Sequence, residues 1–232
     1  KVDLIMANAT PALTAAVSAT KDIPILGTSI TAYGVALDIA DFSGTVGGNV
    51  SGTSDLADLS AQAAMITEWF PDTKTVGLLF CSAEPNSRYQ IEEVAKYLAD
   101  KGIESKEFAF TDTNDVTAVT QAAADYADVI YIPTDNTAAA NTEAIANVLI
   151  PAKVPAICGE EGICSGCGVA TLSISYYDLG VTTGKMAAKI LTGETDISKM
   201  PIEYTSATKK YNASMCDALG IKPLDGYTAI GE

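Results

Sequence analysis

The sequence predicts an α/β protein built as two lobes of parallel sheet flanked by helices. Three observations predict it. Short apolar, β-rich runs alternate with helix-patterned segments along the chain, as parallel strands and crossover helices do. A glycine-rich stretch near Val50 separates a first such block from a second. Late in the chain, Thr171 to Tyr204 reads as a strand, an aromatic corner at Tyr176-Tyr177, an amphipathic helix and a proline exit, a segment that returns the chain through a hinge.

The elements follow in order. Leu4-Ile5-Met6-Ala7 is the first strand, within the opening KVDLIMA, and a helix runs from Thr10 to about Thr20 with Thr10 as cap and Pro11 in its first turn. Ile23-Pro24-Ile25-Leu26 is the next short strand. GGNVSGTSD reads as a connector ending on Asp55, ahead of an apolar-periodic helix from about Leu56 to Trp69. A second series then sets Thr75–Phe80 as strand, Asn86–Lys101 as helix stopped by Gly102, Lys106–Phe110 as strand, Asp115–Tyr126 as helix and Val129–Ile132 as a buried strand. Asn136–Leu149 is a helix, Ala156–Cys158 and Val169–Ile174 are strands, and Lys209–Tyr211 and Asn212–Leu219 supply a last strand and helix.

Composition narrows the function. The 232 residues suffice for one large domain or two small ones, and 48% hydrophobic against 19% charged residues suits a sizeable core. A net charge of −15, no histidine and only 14 dispersed Lys and Arg argue against nucleic acid, which needs clustered cations. No apolar run approaches the roughly 20 residues of a membrane span. The start at Lys1 rather than Met, directly on a strand, leads us to expect missing sequence upstream. The five cysteines leave Cys164-Ser165-Gly166-Cys167 open to a metal or redox reading, which lacks a histidine or second Cys-x-x-Cys. A local disulfide among Cys158, Cys164 and Cys167, or free thiols in a loop, are the other readings. No metal and no cofactor is assigned.

In parallel sheets ligands collect beyond the carboxyl ends of the strands, so the residues there carry the functional reading. Asn8 and Thr10 form a polar turn onto a helix N-terminus, suited to a carboxylate; capping by Thr10 is the plainer alternative. Thr28 and Ser29 open a hydroxyl-rich loop that also holds Tyr33 and suits a polar or zwitterionic ligand. Ser82, Asn86 and Ser87 sit at a second helix entry. Asp135 either pairs with a ligand ammonium or caps its helix. In Gly159-Glu160-Glu161-Gly162 one carboxylate, Glu160, is taken to face the ligand. Tyr176 is a stacking candidate, with hinge packing as its alternative. Acid–base chemistry by Glu160, Glu161 or Asp135 has no nucleophile or metal partner beside it, and G-x-G-x-x-G, P-loop and G-x-S-x-G patterns are absent, so an enzyme is not expected.

Taken together, DLIMANATPA, KDIPI, GGNVSGTSD, SAEPNSRYQ, DVIYIPTDN, the GEEG turn and SYYDLGVTTGKMAAKIL resemble the substrate-binding proteins of ABC transporters, specifically the tryptophan/tyrosine type. The resemblance implies the type I periplasmic-binding-protein fold: two Rossmann-like lobes, three hinge crossings and a ligand enclosed between them. Lobe one would hold residues 1–53 and 177–203, with its N-terminal part missing, and lobe two 54–176 and 204–232. It further implies an extracytoplasmic, lipid-anchored or periplasmic receptor, monomeric, that carries a small amino acid-like ligand, possibly aromatic, to a membrane permease. By position in the fold, it implies that Asn8 to Thr10, Thr28-Ser29 and Asp135 hold the ligand's α-carboxylate and ammonium. A ligand-sensing domain of a signalling protein uses the same fold and is the alternative.

Overall fold

The computed structural model describes residues 2–231; Lys1, the first residue of the KVDLIMA stretch, and Glu232 lie outside them. The chain forms two compact units, Lys1–Leu56 with Ile174–Ser206, and Ala57–Ser173 with Ala207–Glu232. The expected boundaries stand three residues away at each crossing, 53 against 56, 176 against 173 and 203 against 206.

Unit 1 contains β1 (Ile5–Asn8), α1 (Thr10–Ala19), β2 (Ile25–Ile30), α2 (Tyr33–Ala36), β3 (Val50–Ser54), α9 (Tyr176–Leu191) and β9 (Glu203–Tyr204). Its sheet runs β1-β2-β3-β9, all parallel. A parallel strand inside such a sheet is covered on both faces, and β2 shows it: Ile25 packs with Leu13, Tyr33 and Val50 on one face, and Leu26 with Met186 and Met200 on the other. Two expectations are corrected here. The second strand begins at Ile25 and carries Thr28 and Ser29 within it, so these are strand residues and not a loop. The GGNVSGTSD connector contains β3, buried at all five positions, because small residues are what fit between β2 and β9.

Unit 2 contains α3 (Leu59–Trp69), β4 (Thr75–Cys81), α4 (Pro85–Asp100), β5 (Glu104–Phe110), α5 (Val116–Tyr126), β6 (Val129–Ile132), α6 (Asn136–Ala139), α7 (Thr142–Ala152), β7 (Ala156–Cys158), α8 (Glu161–Cys167), β8 (Ala170–Ile174), β10 (Ala207–Tyr211), α10 (Ala213–Leu219) and β11 (Thr228–Ala229). The sheet order is β11-β10-β8-β7-β6-β4-β5. The β4-β5, β4-β6, β6-β7, β7-β8 and β10-β11 pairs are parallel.

Local chemistry explains the differences from the sequence pattern. Helix α3 starts at Leu59 because Asp58, not Asp55, accepts from Ser60 N and Ala61 N. The expected Asn136–Leu149 helix is two helices, α6 ending at Ala139 and α7 beginning at Thr142. The cysteine-rich stretch is a helix, α8, capped by Glu160, and its thiols are buried rather than in a loop; all five cysteines are free thiols. Burial, with Cys164 and Cys167 alongside, pushes the Cys158 thiol well up, and burial pushes Cys216 up to about 11. Such thiols are unreactive at neutral pH. The aromatic corner is also helical: Ser175 caps α9 by accepting from Asp178 N, and Tyr176-Tyr177 are its first two residues.

Candidate functional site

In unit 1 the carboxyl ends of β1, β2 and β3 bring a polar set together. The register pairs Asn8 with Thr28 across β1 and β2. The chain then leaves β1 through Ala9, at φ 71 and ψ 159, whose amide donates to Thr28 O at 3.0 Å. That conformation is nearly restricted to glycine and costs about 1–3 kcal/mol in any other residue, a kind of strain that collects at ligand sites. Beside it on β2, Ser29 has φ 55, and the pairing of β2 with β3 slips between Gly27 and Ile30. Helix α1 begins at once with Ala9 in the cap position and no side-chain cap. Thr10, expected as the cap, is instead the first helical residue and is buried. An uncapped helix start leaves its first amides and dipole for an anion.

Beyond β3 lies Asp55, 4% exposed, its amide bonded to Ile30 O at 3.2 Å and its Oδ2 accepting from the Tyr176 hydroxyl at 3.2 Å. The sequence pattern makes Asp55 only the end of a connector; its place immediately after β3 was the signal that could have singled it out. Tyr176 is 38% exposed and Tyr177 80%. Tyr33, by contrast, is a core residue. Its hydroxyl donates to Thr53 O at 3.1 Å, and a Cβ at Gly27 or Gly52 would collide with it. Burial first, and then the charge of Asp55, pushes its pKa up, so it stays a donor. It is therefore not part of a ligand-facing loop. Thr28, Thr53 and Thr183 of α9 gather their hydroxyls behind the strand ends.

The candidates of unit 2 are arranged differently. Ser82 is exposed, whereas Asn86, Ser87, Asp135 and Glu160 are buried. Glu84, which sequence reasoning passed over, ties Asn86 to the start of α6. Its Oε2 accepts from Asn136 N at 3.0 Å, Asn136 Nδ2 at 2.6 Å and Asn86 Nδ2 at 3.3 Å, and its Oε1 from Thr137 N at 2.9 Å and Thr137 Oγ1 at 2.8 Å. Asp135, 1% exposed, caps α6: it accepts from Cys81 N at 2.7 Å and Ala138 N at 2.8 Å, with Ser87 also bonded to it. Of its two expected roles, the geometry gives it the capping one. Burial, followed by the charge of Glu84, raises its pKa. Glu160 likewise accepts from Gly162 N at 2.6 Å and from Ile163 N, and caps α8. Each of these carboxylates is committed to amides of its own unit.

The chain matches, over residues 1–223, the family described as ABC transporter substrate binding protein. It is 31% identical over 209 residues to a tyrosine-binding protein of Clostridioides difficile. That match takes in 90% of this chain and 60% of the relative, so the chain spans about 60% of the length of that protein. Among solved structures it is similar to an ABC domain in complex with L-Trp from Streptococcus pneumonia, at 30% identity and a TM-score of 0.91, over 98% of this chain and 79% of that one. It is similar also to a conserved domain protein from Vibrio cholerae, at 29% identity and 0.92, over 99% and 78%. A third is a ligand-free, open substrate-binding protein with adhesive properties from Clostridium difficile, at 32% identity and 0.74, over 98% and 78%.

Proposed function

The chain belongs to the ABC transporter substrate-binding protein family, and from that premise we propose that it is the ligand-capturing part of an extracytoplasmic receptor that hands a free amino acid to a membrane permease. No helix among the described residues is long and apolar enough to cross a membrane. The observation that carries the ligand class is the carboxyl end of the unit 1 sheet, where a buried carboxylate stands beside a row of neutral donors and an uncapped helix start. In this reading Asp55 takes the ligand's ammonium through a charge-assisted bond. Asn8, Thr28, Ser29 and the first turn of α1 take its carboxylate. Tyr176 and the exposed Tyr177 offer rings to an aromatic side chain, worth about 0.5–1.5 kcal/mol beyond burial. Relatives named for tyrosine and crystallised with L-Trp support the aromatic choice. Asn86, Ser87, Asp135 and Glu160 serve in this reading to shape unit 2, where Ser82 is exposed and its hydroxyl donates to Phe110 O at 3.2 Å. The chemistry needed is binding alone, with no bond made or broken.

Titration calorimetry against the twenty amino acids tests the reading, with tyrosine and tryptophan expected to bind tightest. Asp55→Ala should weaken L-tyrosine by about 2–5 kcal/mol, the scale of a truncated buried charge pair, and leave the deaminated analogue 3-(4-hydroxyphenyl)propionate unchanged. Equal losses for the two ligands would remove the ion pair, and a response to sugars or purines with none to amino acids would remove the ligand class.

A further inference from the structure

Behind the strand ends of unit 1 lies a hydroxyl triad. Thr53 Oγ1 and Thr183 Oγ1 are 2.8 Å apart, Thr183 Oγ1 and Thr28 Oγ1 3.1 Å, and Thr53 Oγ1 and Thr28 Oγ1 3.4 Å. Thr183 Oγ1 also lies 2.8 Å from Leu179 O, one turn back along α9. Thr53 and Thr183 are 0% exposed, whereas Thr28 is half-buried, on the strand that leads into Ser29. We propose that Thr183 is a positioning residue for ligand binding, which turns its own proton toward Thr28 so that the Thr28 hydroxyl donates outward to a ligand carboxylate. The proposal rests on the amino-acid reading above and adds to it a residue that touches no ligand.

The argument is a count of protons. A threonine hydroxyl has one proton and two lone pairs, and the sealed hydroxyls must spend theirs inside the set. Of the arrangements that do so, two differ in what they make of Thr28 and of the Thr183 proton. In the first, Thr183 donates to Leu179 O, Thr53 donates to Thr183, and Thr28 turns its proton inward to the remaining lone pair of Thr183. In the second, Thr53 donates to Thr183, Thr183 donates to Thr28, and the Thr28 proton is released outward. Leu179 O loses nothing essential, since it remains the acceptor of the Thr183 amide within α9. An anion arriving at Thr28 favours the second arrangement. The chain Thr53 to Thr183 to Thr28 then polarises each donor in turn, a cooperative gain that needs hydroxyl rotation and no movement of heavier atoms.

The test is a double-mutant cycle read by calorimetry with L-tyrosine and L-tryptophan. Thr183→Val keeps the shape and removes the middle hydroxyl; it should weaken the amino acid roughly five- to tenfold, the scale of one hydrogen bond between neutral groups. Thr183→Ser should restore affinity. Thr183→Val made in a Thr28→Val background should cost nothing further, because the route to the ligand is already cut. Thr183→Ala serves with the same outcomes if the valine variant does not fold, as judged by its thermal transition. A wild-type chain that binds neither amino acid overturns the ligand reading and this proposal with it. A wild-type chain that binds, with Thr183→Val either unchanged or losing the same factor whether or not Thr28 is present, overturns the positioning role alone.

Discussion

The two units end their strands in opposite ways. In unit 2 three buried carboxylates beyond the strands are bonded to backbone amides: Glu84 accepts from Asn136 and Thr137, Asp135 from Cys81 and Ala138, and Glu160 from Gly162 and Ile163. In unit 1 the carboxyl ends of the strands hold Ala9 and Ser29 at positive φ, an uncapped helix, a hydroxyl row and Asp55 beside Tyr176. One end is closed by its own hydrogen bonds and the other holds groups in geometry that costs energy to keep. Buried acids are thus no guide to a site by themselves. What the comparison offers instead is the backbone beside the acid, regular at the caps of α6 and α8 and strained at Ala9 and Ser29.

The hardest way to break that contrast is at Glu84. Replacing it by Gln sets an NH₂ group against donors that the carboxylate accepted, and about 3 kcal/mol of stability should be lost, with amino-acid affinity within twofold of wild type. Burial alone would raise the Glu84 pKa, but the bonds from Asn136 and Thr137 outweigh it and hold the group below its ordinary value of 4.5. A depressed folded value means that its contribution is present above 4.5 and lost as pH falls through the folded value. The gap between wild type and Glu84→Gln in urea unfolding should therefore be full at pH 7 and close in acid. A gap that persists to low pH would mean that the carboxylate's charge is not what Asn136 and Thr137 recognise.

Asp135→Asn comes next, with an expected loss of about 2 kcal/mol, since one of the two amides it accepts from would face a donor. The sign with pH is opposite to that of Glu84. Burial, then the Glu84 charge, raises the folded pKa of Asp135 above 3.8, so this group's contribution is greatest in acid and declines as pH rises through the folded value. Asn should therefore compare worst in acid and recover part of its deficit toward neutrality. Affinity for L-tyrosine should hold. If Asp135→Asn lost more affinity than Asp55→Ala, the roles argued for the two units would be reversed.

Much of the fold was legible because period and punctuation agree. Val129–Ile132 is an uninterrupted β-branched and aromatic run, and Pro85 with Gly102 brackets α4. What was hidden had weak local signals and strong tertiary ones. Val50–Ser54 reads as a flexible connector because its small residues look like a loop, yet they are what a strand pressed between β2 and β9 requires. At the candidate site, Asn8, Thr28 and Ser29 stood out as polar residues following apolar strand sequence, and they lie at the carboxyl ends of β1 and β2. Nothing local marked Asp55, which follows a strand that reads as a connector, or Thr183, which lies 130 residues from Thr53 and meets it only through folding.

The smallest effect separates strain kept for function from strain that merely ends a helix. Ala9→Gly removes a backbone penalty of about 1–3 kcal/mol and gives back about 0.4–1 kcal/mol to the unfolded chain, a net stabilisation near 1 kcal/mol. In unit 2, Lys153 at φ 55 closes α7 as a left-handed C-cap, and Lys153→Gly should stabilise for the same reason. Affinity tells the two apart. Glycine at 9 loosens the turn that sets Asn8 and the start of α1, so L-tyrosine should bind a few-fold more weakly although the protein melts higher, whereas glycine at 153 should leave binding where it was. Paired thermal scans and calorimetry decide it. Were Ala9→Gly to stabilise without any loss of affinity, the strained turn would be a feature of the fold only, and the carboxylate would have to be held by Thr28 and Ser29 without help from the first turn of α1.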